Sequence, residues 1–163
     1  VSKYHLINIA SSLSLEQAQK ISEHTLRAAR DAQLLPLTVV ILDAGGQPVH
    51  VVREDGCGIA RFDIAFGKAS GALGMGISSR TIGQRLKDRI AFIASISAAT
   101  GGEFIAVPGG VLILNDQGQA IGSVGVSGDA SDRDEYAAIV GIQKAGLKTD
   151  PGEPAENWQQ AGL

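Results

Sequence analysis

Leu37-Thr38-Val39-Val40-Ile41-Leu42-Asp43-Ala44-Gly45-Gly46-Gln47-Pro48-Val49-His50-Val51-Val52-Arg53 is the stretch on which the fold turns. Leu37 to Leu42 is a continuous run of β-branched and leucine residues, which predicts a buried strand. Asp43-Ala44-Gly45-Gly46 predicts a turn, and Pro48 to Arg53 a second strand. Strands joined by so short a turn pair antiparallel, because a parallel partner needs a long crossover. Alternation along the second strand predicts Val49, Val51 and Arg53 on one face and His50 and Val52 on the other.

Upstream, Ser14 to Gln33 predicts a helix. Ser14 is the expected N-cap, and Gln17 completes a capping box. Leu15, Ala18, Ser22, Thr25, Ala29 and Ala32 form a small-residue stripe at helical spacing, with Lys20, His24, Arg27 and Asp31 on the other side. Downstream, Ala60 to Gly74 predicts a helix rich in Ala and Gly. Glycine costs a helix about 1 kcal/mol against Ala, so Gly67, Gly71 and Gly74 imply close approach to the sheet or to another chain. Ser78 to Arg85 and Ile90 to Thr100 predict two shorter helices, and Gly101-Gly102 ends the second. Phe104 to Val107, Val111 to Leu114 and Ala120 to Val126 predict three strands, the last two joined at Asn115-Asp116-Gln117-Gly118. Ser131 to Ala145 is the expected final helix, with Ser131 and Asp134 as a second capping box and Gly146 at its C-terminal end.

This order predicts an α+β fold: a single five-stranded antiparallel sheet with helices packed on it. One domain is expected over residues 1–147, with an extended C-terminal tail over 148–163 in which Trp158 and Leu163 are apolar anchors. The 163 residues suit one domain, and 44% hydrophobic against 19% charged residues is a globular balance. With aromatics at 4%, the core must be aliphatic. The formal charge of -3 comes without a basic stripe, since Arg80, Arg85, Lys87 and Arg89 are interrupted by Asp88, so no nucleic-acid partner is expected. Apolar runs fall short of a membrane span. Val1 to Leu15 has no signal-type apolar core, and the single cysteine, Cys57, fits a reducing compartment, so a cytoplasmic protein is expected; a leader already removed lies outside this sequence.

Five segments stand in order: Asp43-Ala44-Gly45-Gly46; Arg53-Glu54-Asp55-Gly56; Asp63-Ile64-Ala65 with Lys68-Ala69; Pro108-Gly109-Gly110-Val111; and Gly122-Ser123-Val124-Gly125-Val126-Ser127-Gly128. Together, over about residues 14 to 146, they resemble the GlcG/HbpS family (DUF336-like), which includes the C-terminal domain of PduO-type proteins. The resemblance implies a PAS- or profilin-like α+β fold that assembles into homo-oligomers. It also implies haem as a cofactor of some members, haem degradation or iron holding in others, and a place in bacterial catabolic gene clusters for still others. Haem-binding members use a histidine, but the resemblance transfers no particular ligand.

Several residues carry candidate chemistry. The side chains able to ligate haem iron are His5, His24, His50, Cys57, Met75, Tyr4 and Tyr136; of these His24 and His50 are candidate ligand-binding residues, although His24 reads first as a surface histidine and His50 as a satisfied, half-buried one. Asp63 admits two roles: an anion at a helix N-terminus paired with Arg53 or Arg61, or a general acid/base beside Arg53 as anchor for a carboxylate substrate. Lys68 belongs to the same candidate catalytic group but falls on another helix face. Asp55, Pro108, Gly109, Gly110, Ser127 and Gly128 are candidate ligand-binding positions, because glycine-rich turns bring backbone N–H groups close to an anion. The same glycines also serve tight packing. Cys57 reads as a structural thiol, and three scattered histidines with one cysteine give no metal-ligand spacing. The expected function is thus a haem- or small-ligand-binding homo-oligomer. The alternative is a catabolic enzyme acting on a small carboxylate or oxygenated substrate by acid/base chemistry, and an accessory assembly protein is a third option.

Overall fold

A computed structural model describes residues 4–163. Five strands form one sheet: β1 Thr38–Asp43, β2 Pro48–Arg53, β3 Gly110–Leu114, β4 Ala120–Ser127 and β5 Lys148–Asp150. Their order is β2-β1-β4-β3-β5, and every neighbouring pair is antiparallel. The helices are α1 Leu15–Asp31, α2 Arg61–Met75, α3 Ser79–Leu86, α4 Ile90–Ala99 and α5 Ser131–Lys144. The α+β antiparallel expectation holds, including the hairpin that suggested it.

Alternation sorts the strand residues onto two faces. Val39, Ile41, Val111, Ile113, Val124 and Val126 face α1 and α5 and join one apolar core with Ile21, Ile139 and Ile142. On this side α1 and α5 cross closely, because Gly141 leaves no side chain where Thr25 lies. The Ser14 capping box forms as expected: Ser14 Oγ accepts from Gln17 N at 3.1 Å, and Gln17 Oε1 accepts from Ser14 N at 3.1 Å. Gly146, with φ 85°, follows α5 in the left-handed conformation that suits glycine after a helix.

The other face carries α2. A Cβ at Gly125 would collide with the Ala65 carbonyl, and one at Gly110 with the Lys68 carbonyl. Ser123 Oγ donates to the Ala69 carbonyl at 3.0 Å. The sheet's own glycines therefore admit the helix, while Ala65 and Ala69 pack on Val40 and Leu42. The helix glycines have a different use from the one expected. Gly67 and Gly71 make room for Ile105 and Phe104, and Gly74 meets nothing within 4 Å.

Four sequence expectations are corrected. Phe104 to Val107 is not a strand. Ile105 N donates to the Gly67 carbonyl at 3.1 Å, and Phe104 is buried with Ile82 and Leu86, so helix contacts take the groups a sheet would use. The fifth strand is Lys148–Asp150, from the segment expected to be an arm, paired with β3. Ser131 and Asp134 make no capping box: the N-cap is Ala130, without a side-chain hydrogen bond, because Asp134 points inward. Val49 also leaves the face expected for it. A register shift between Ile41 and Leu42 lets it pack with Val52 against the α1 side, whereas Val51 and Arg53 stay exposed.

The rest of the tail folds back on the domain. Trp158 stacks on Tyr136 with ring centroids 3.7 Å apart, and Arg133 Nη2 donates to the Gln159 carbonyl at 2.8 Å. Leu163 remains 83% exposed.

Candidate functional site

Lys68 stands on the sheet side of α2 and is only 1% exposed. Its Nζ donates to the Val126 carbonyl at 2.9 Å and to Asp134 Oδ2 on α5 at 3.1 Å. The other Asp134 oxygen accepts from Asp129 N at 2.9 Å. Burial pushes the Lys68 ammonium below its ordinary range, and the Asp134 charge pulls it back. Burial pushes Asp134 up to about 6, against the opposing pull of Lys68 and its hydrogen bonds. Such a pair gives little net stability over an apolar replacement, but losing one member strands the other without a partner.

Glu135, next along α5, is fully buried. Arg80 Nε on α3 stands 3.3 Å from Glu135 Oε1. The approach is not aligned as a hydrogen bond, and both Glu135 oxygens lack hydrogen-bond partners among the described residues. Burial raises its pKa to about 7, Arg80 opposing. Arg80 also donates through Nη2 to the Glu153 carbonyl at 2.9 Å, and Ser78 N donates to Asp150 Oδ2 at 2.8 Å, so this polar knot ties α3 and the tail to the domain.

The Pro108-Gly109-Gly110 turn is shaped around Lys68. At Gly109, φ is 118°, and a Cβ would stand 2.8 Å from both Lys68 Nζ and the Val126 carbonyl. Gly110 N donates to Ser79 Oγ at 2.7 Å. Gly128 packs on the Pro36 carbonyl, and Ser127 Oγ accepts from Arg61 Nη1 at 3.3 Å. Cys57 is buried with Sγ 3.2 Å from Thr38 Oγ1, in keeping with a structural thiol.

The proposed acid/base residues do not share a hollow. Arg53 and Asp55 line one of about 430 Å³ with Arg30, Pro36 and Glu54, and Arg53 Nη1 donates to the Cys57 carbonyl at 3.1 Å. Asp63, exposed in the first turn of α2, lines another of about 480 Å³ with Phe62, Phe66 and Gly101 to Glu103. Lys68 is buried away from both, as its separate helix face implied.

His50 lies across from Ile41 on the α1 side of the sheet, half-buried, with Nδ1 shut from solvent and unpartnered among the described residues. His24 lies in a shallow hollow of about 390 Å³ between α1 and α5, with Glu23, Arg27, Ala28, Asp31, Val140 and Lys144. A larger hollow, about 620 Å³, lies between α3, the Ala106 to Pro108 segment and the tail, with Arg80, Lys87, Asp132 and Glu156 at its rim. The sequence did not single out Asp134, Glu135 or Arg80 for this knot. Asp134 had the signature of a cap and Arg80 that of a solvated helix. The one available signal was an Asp-Glu pair facing a helix stripe otherwise made of Ala and Ile.

Fold and hollows together define a class: a small α+β domain with one antiparallel sheet, a polar interior on one side and shallow ligand-sized surface hollows. Residues 13–143 match the family described as haem degrading protein HbpS-like, and the chain belongs to that family. Among solved structures, the PduOC–haem complex superposes with a TM-score of 0.76 at 22% identity, covering 86% of this chain and 99% of its own. The Klebsiella pneumoniae protein ORFY, of family DUF336, gives 0.74 at 21% identity over 89% and 98%. A double mutant of HbpS from Streptomyces reticuli gives 0.68 at 23% identity over 88% and 94%. A comparison with curated proteins finds no match. No helix among the described residues is long and apolar enough to cross a membrane.

Proposed function

We propose that this chain is a haem-binding homo-oligomer of the HbpS type, with His24 as the iron ligand. Family membership and the haem complex of the similar PduOC domain support haem as the ligand. The observation that carries the choice of site is the chemistry of the α1–α5 hollow. It offers one imidazole, an apolar floor of Ala28 and Val140, and two cations, Arg27 and Lys144, of the sign that haem propionates require. Glu23 and Asp31 at the same rim set an orientation, since propionates are repelled from them. His50 suits the role less well, because one ring nitrogen is shut inside the protein. Bound haem supplies a redox-active iron; the chain's own part is to hold that iron through an imidazole and to fix the propionates.

The acid/base alternative, with Arg53 as anchor and Asp63 as acid/base, draws less support, since the two line separate hollows. A haem titration tests the proposal. Wild-type protein is expected to develop a Soret band, His24→Ala to lose it, and His50→Ala to keep it. Absence of the band in wild type, or its persistence in His24→Ala, would overturn the assignment.

A further inference from the structure

We propose that α4 and the hollow beside it form a two-fold contact through which two copies of this chain pair, α4 running antiparallel to α4. The proposal rests on the homo-oligomer part of the function above and names its surface.

α4 reads Ile90-Ala-Phe-Ile-Ala-Ser-Ile-Ser-Ala-Ala99, ten residues without a charge, and none of them is buried. A helix apolar all round belongs inside a structure. Ile93 and Ile96 lean on Ile82, Leu86 and Phe104, but Ile90 is 77% and Phe92 40% exposed. Ala91, Ser95 and Ala98 are exposed too, spaced four and three along the helix, which leaves a flat strip where another backbone fits.

The two ends of α4 differ in charge, and that difference selects the partner. Arg85, Lys87 and Arg89 lead into the helix, offset only by Asp88, and the Arg89 guanidinium sits 4.3 Å from the Phe92 ring centre. Glu103 follows the helix and lines the 480 Å³ hollow together with Asp63, Phe62 and Phe66. One end thus presents an apolar knob with cations, the other an apolar hollow with carboxylates. A two-fold axis across α4 brings the knob of each copy to the hollow of the other, and each contact is made twice. A parallel arrangement sets cation against cation. An anionic lipid surface matches only one end, so a second copy fits better than a membrane.

The contact lies on the α2 side of the sheet, opposite the α1–α5 hollow that holds His24, so assembly and haem binding are separable. Sedimentation of the full chain, with circular dichroism as the fold check, tests the contact. Wild type is expected to be a dimer or a multiple of one. Ile90→Asp, at an exposed position, is expected to keep the fold and the haem band while weakening association roughly tenfold or more. Arg89→Glu and Glu103→Arg are each expected to weaken it, and the double variant to recover it. A wild type that stays monomeric at high micromolar concentration, or whose α4 inserts into phosphatidylserine vesicles as a monomer, overturns both this contact and the oligomer reading. An oligomeric wild type with an unchanged Ile90→Asp variant overturns the contact alone.

Discussion

The two faces of the sheet are held by different physics. Against α1 and α5 lies a continuous aliphatic core in which side chains of Val, Ile and Leu meet those of Ala, Ile and Leu. Against α2 the apolar cluster is small, Val40, Leu42, Ala65 and Ala69. There carbonyls of the helix meet sheet glycines and the Ser123 hydroxyl directly, and its buried Lys68 reaches the Val126 carbonyl and Asp134 of α5. One face is set by area removed from water, the other by backbone proximity and a satisfied ionic contact. The difference teaches where this molecule is sensitive: to volume on one side, to charge and pH on the other.

The largest effect that separates the faces is loss of one member of the ion pair. Lys68→Ala leaves Asp134 buried without its cation, which costs about 3–5 kcal/mol. Lys68→Met combined with Asp134→Asn removes both charges at nearly the same volume and leaves an amide oxygen to accept from Asp129 N, and is expected to fall within about 2 kcal/mol of wild type. Urea unfolding of the three proteins checks this. A single variant as stable as wild type would mean that the α2 face does not depend on the pair.

How much of this was open to sequence follows the same division. The two hairpin turns and the Ser14 capping box depend on neighbours along the chain, and each appears where it was expected, whereas the alternation along β2 fails at Val49, where the register shifts. Asp134 shows the limit. Its spacing from Ser131 is that of a cap, but a lysine 66 positions away claims its carboxylate, and no local rule weighs a distant cation. Phe104 to Val107 fails similarly, since the Gly67 carbonyl of α2 claims Ile105 N and Phe104 packs with Ile82 and Leu86 of α3, partners that no local rule supplies. Of the candidate site, the separation of Lys68 from Asp63 was legible because 3.6 residues per turn decides it. That Arg53 and Asp63 line different hollows was not, because they lie on different elements whose docking is tertiary.

A smaller effect sharpens the contrast through pH. Glu135 has its pKa raised from 4.5 to about 7, chiefly by burial. The unfolded chain therefore gives up this proton at lower pH than the folded one. The associated stability is fully present below the unfolded pKa near 4.5 and is lost as pH rises through about 7. The loss reaches at most about 3 kcal/mol by linkage. Asp134, raised to about 6, acts in the same direction, whereas Lys68, pushed down by burial, is coupled to it and titrates with it as a pair. Unfolding midpoints at pH 5 and pH 8 are expected to differ in wild type, with pH 5 the more stable. Glu135→Gln is expected to narrow that gap, and an unaltered gap would remove Glu135 from the account.

The smallest effect belongs to the aliphatic face and should be indifferent to pH. Ile139 is fully buried on α5 within the core that includes Val111, Ile113, Val124 and Val126. Ile139→Val deletes one methyl group without touching a polar contact. Lost transfer energy plus an incompletely closed cavity costs about 0.5–1.5 kcal/mol. Nothing in that cost involves a proton, so the loss should be the same at pH 5 and pH 8. If it instead varied with pH as Glu135 does, the two faces would be coupled through α5, which carries Ile139 toward one core and Asp134 and Glu135 toward the other. The helix would then transmit the ionisation of the polar knot into the packing of the aliphatic core.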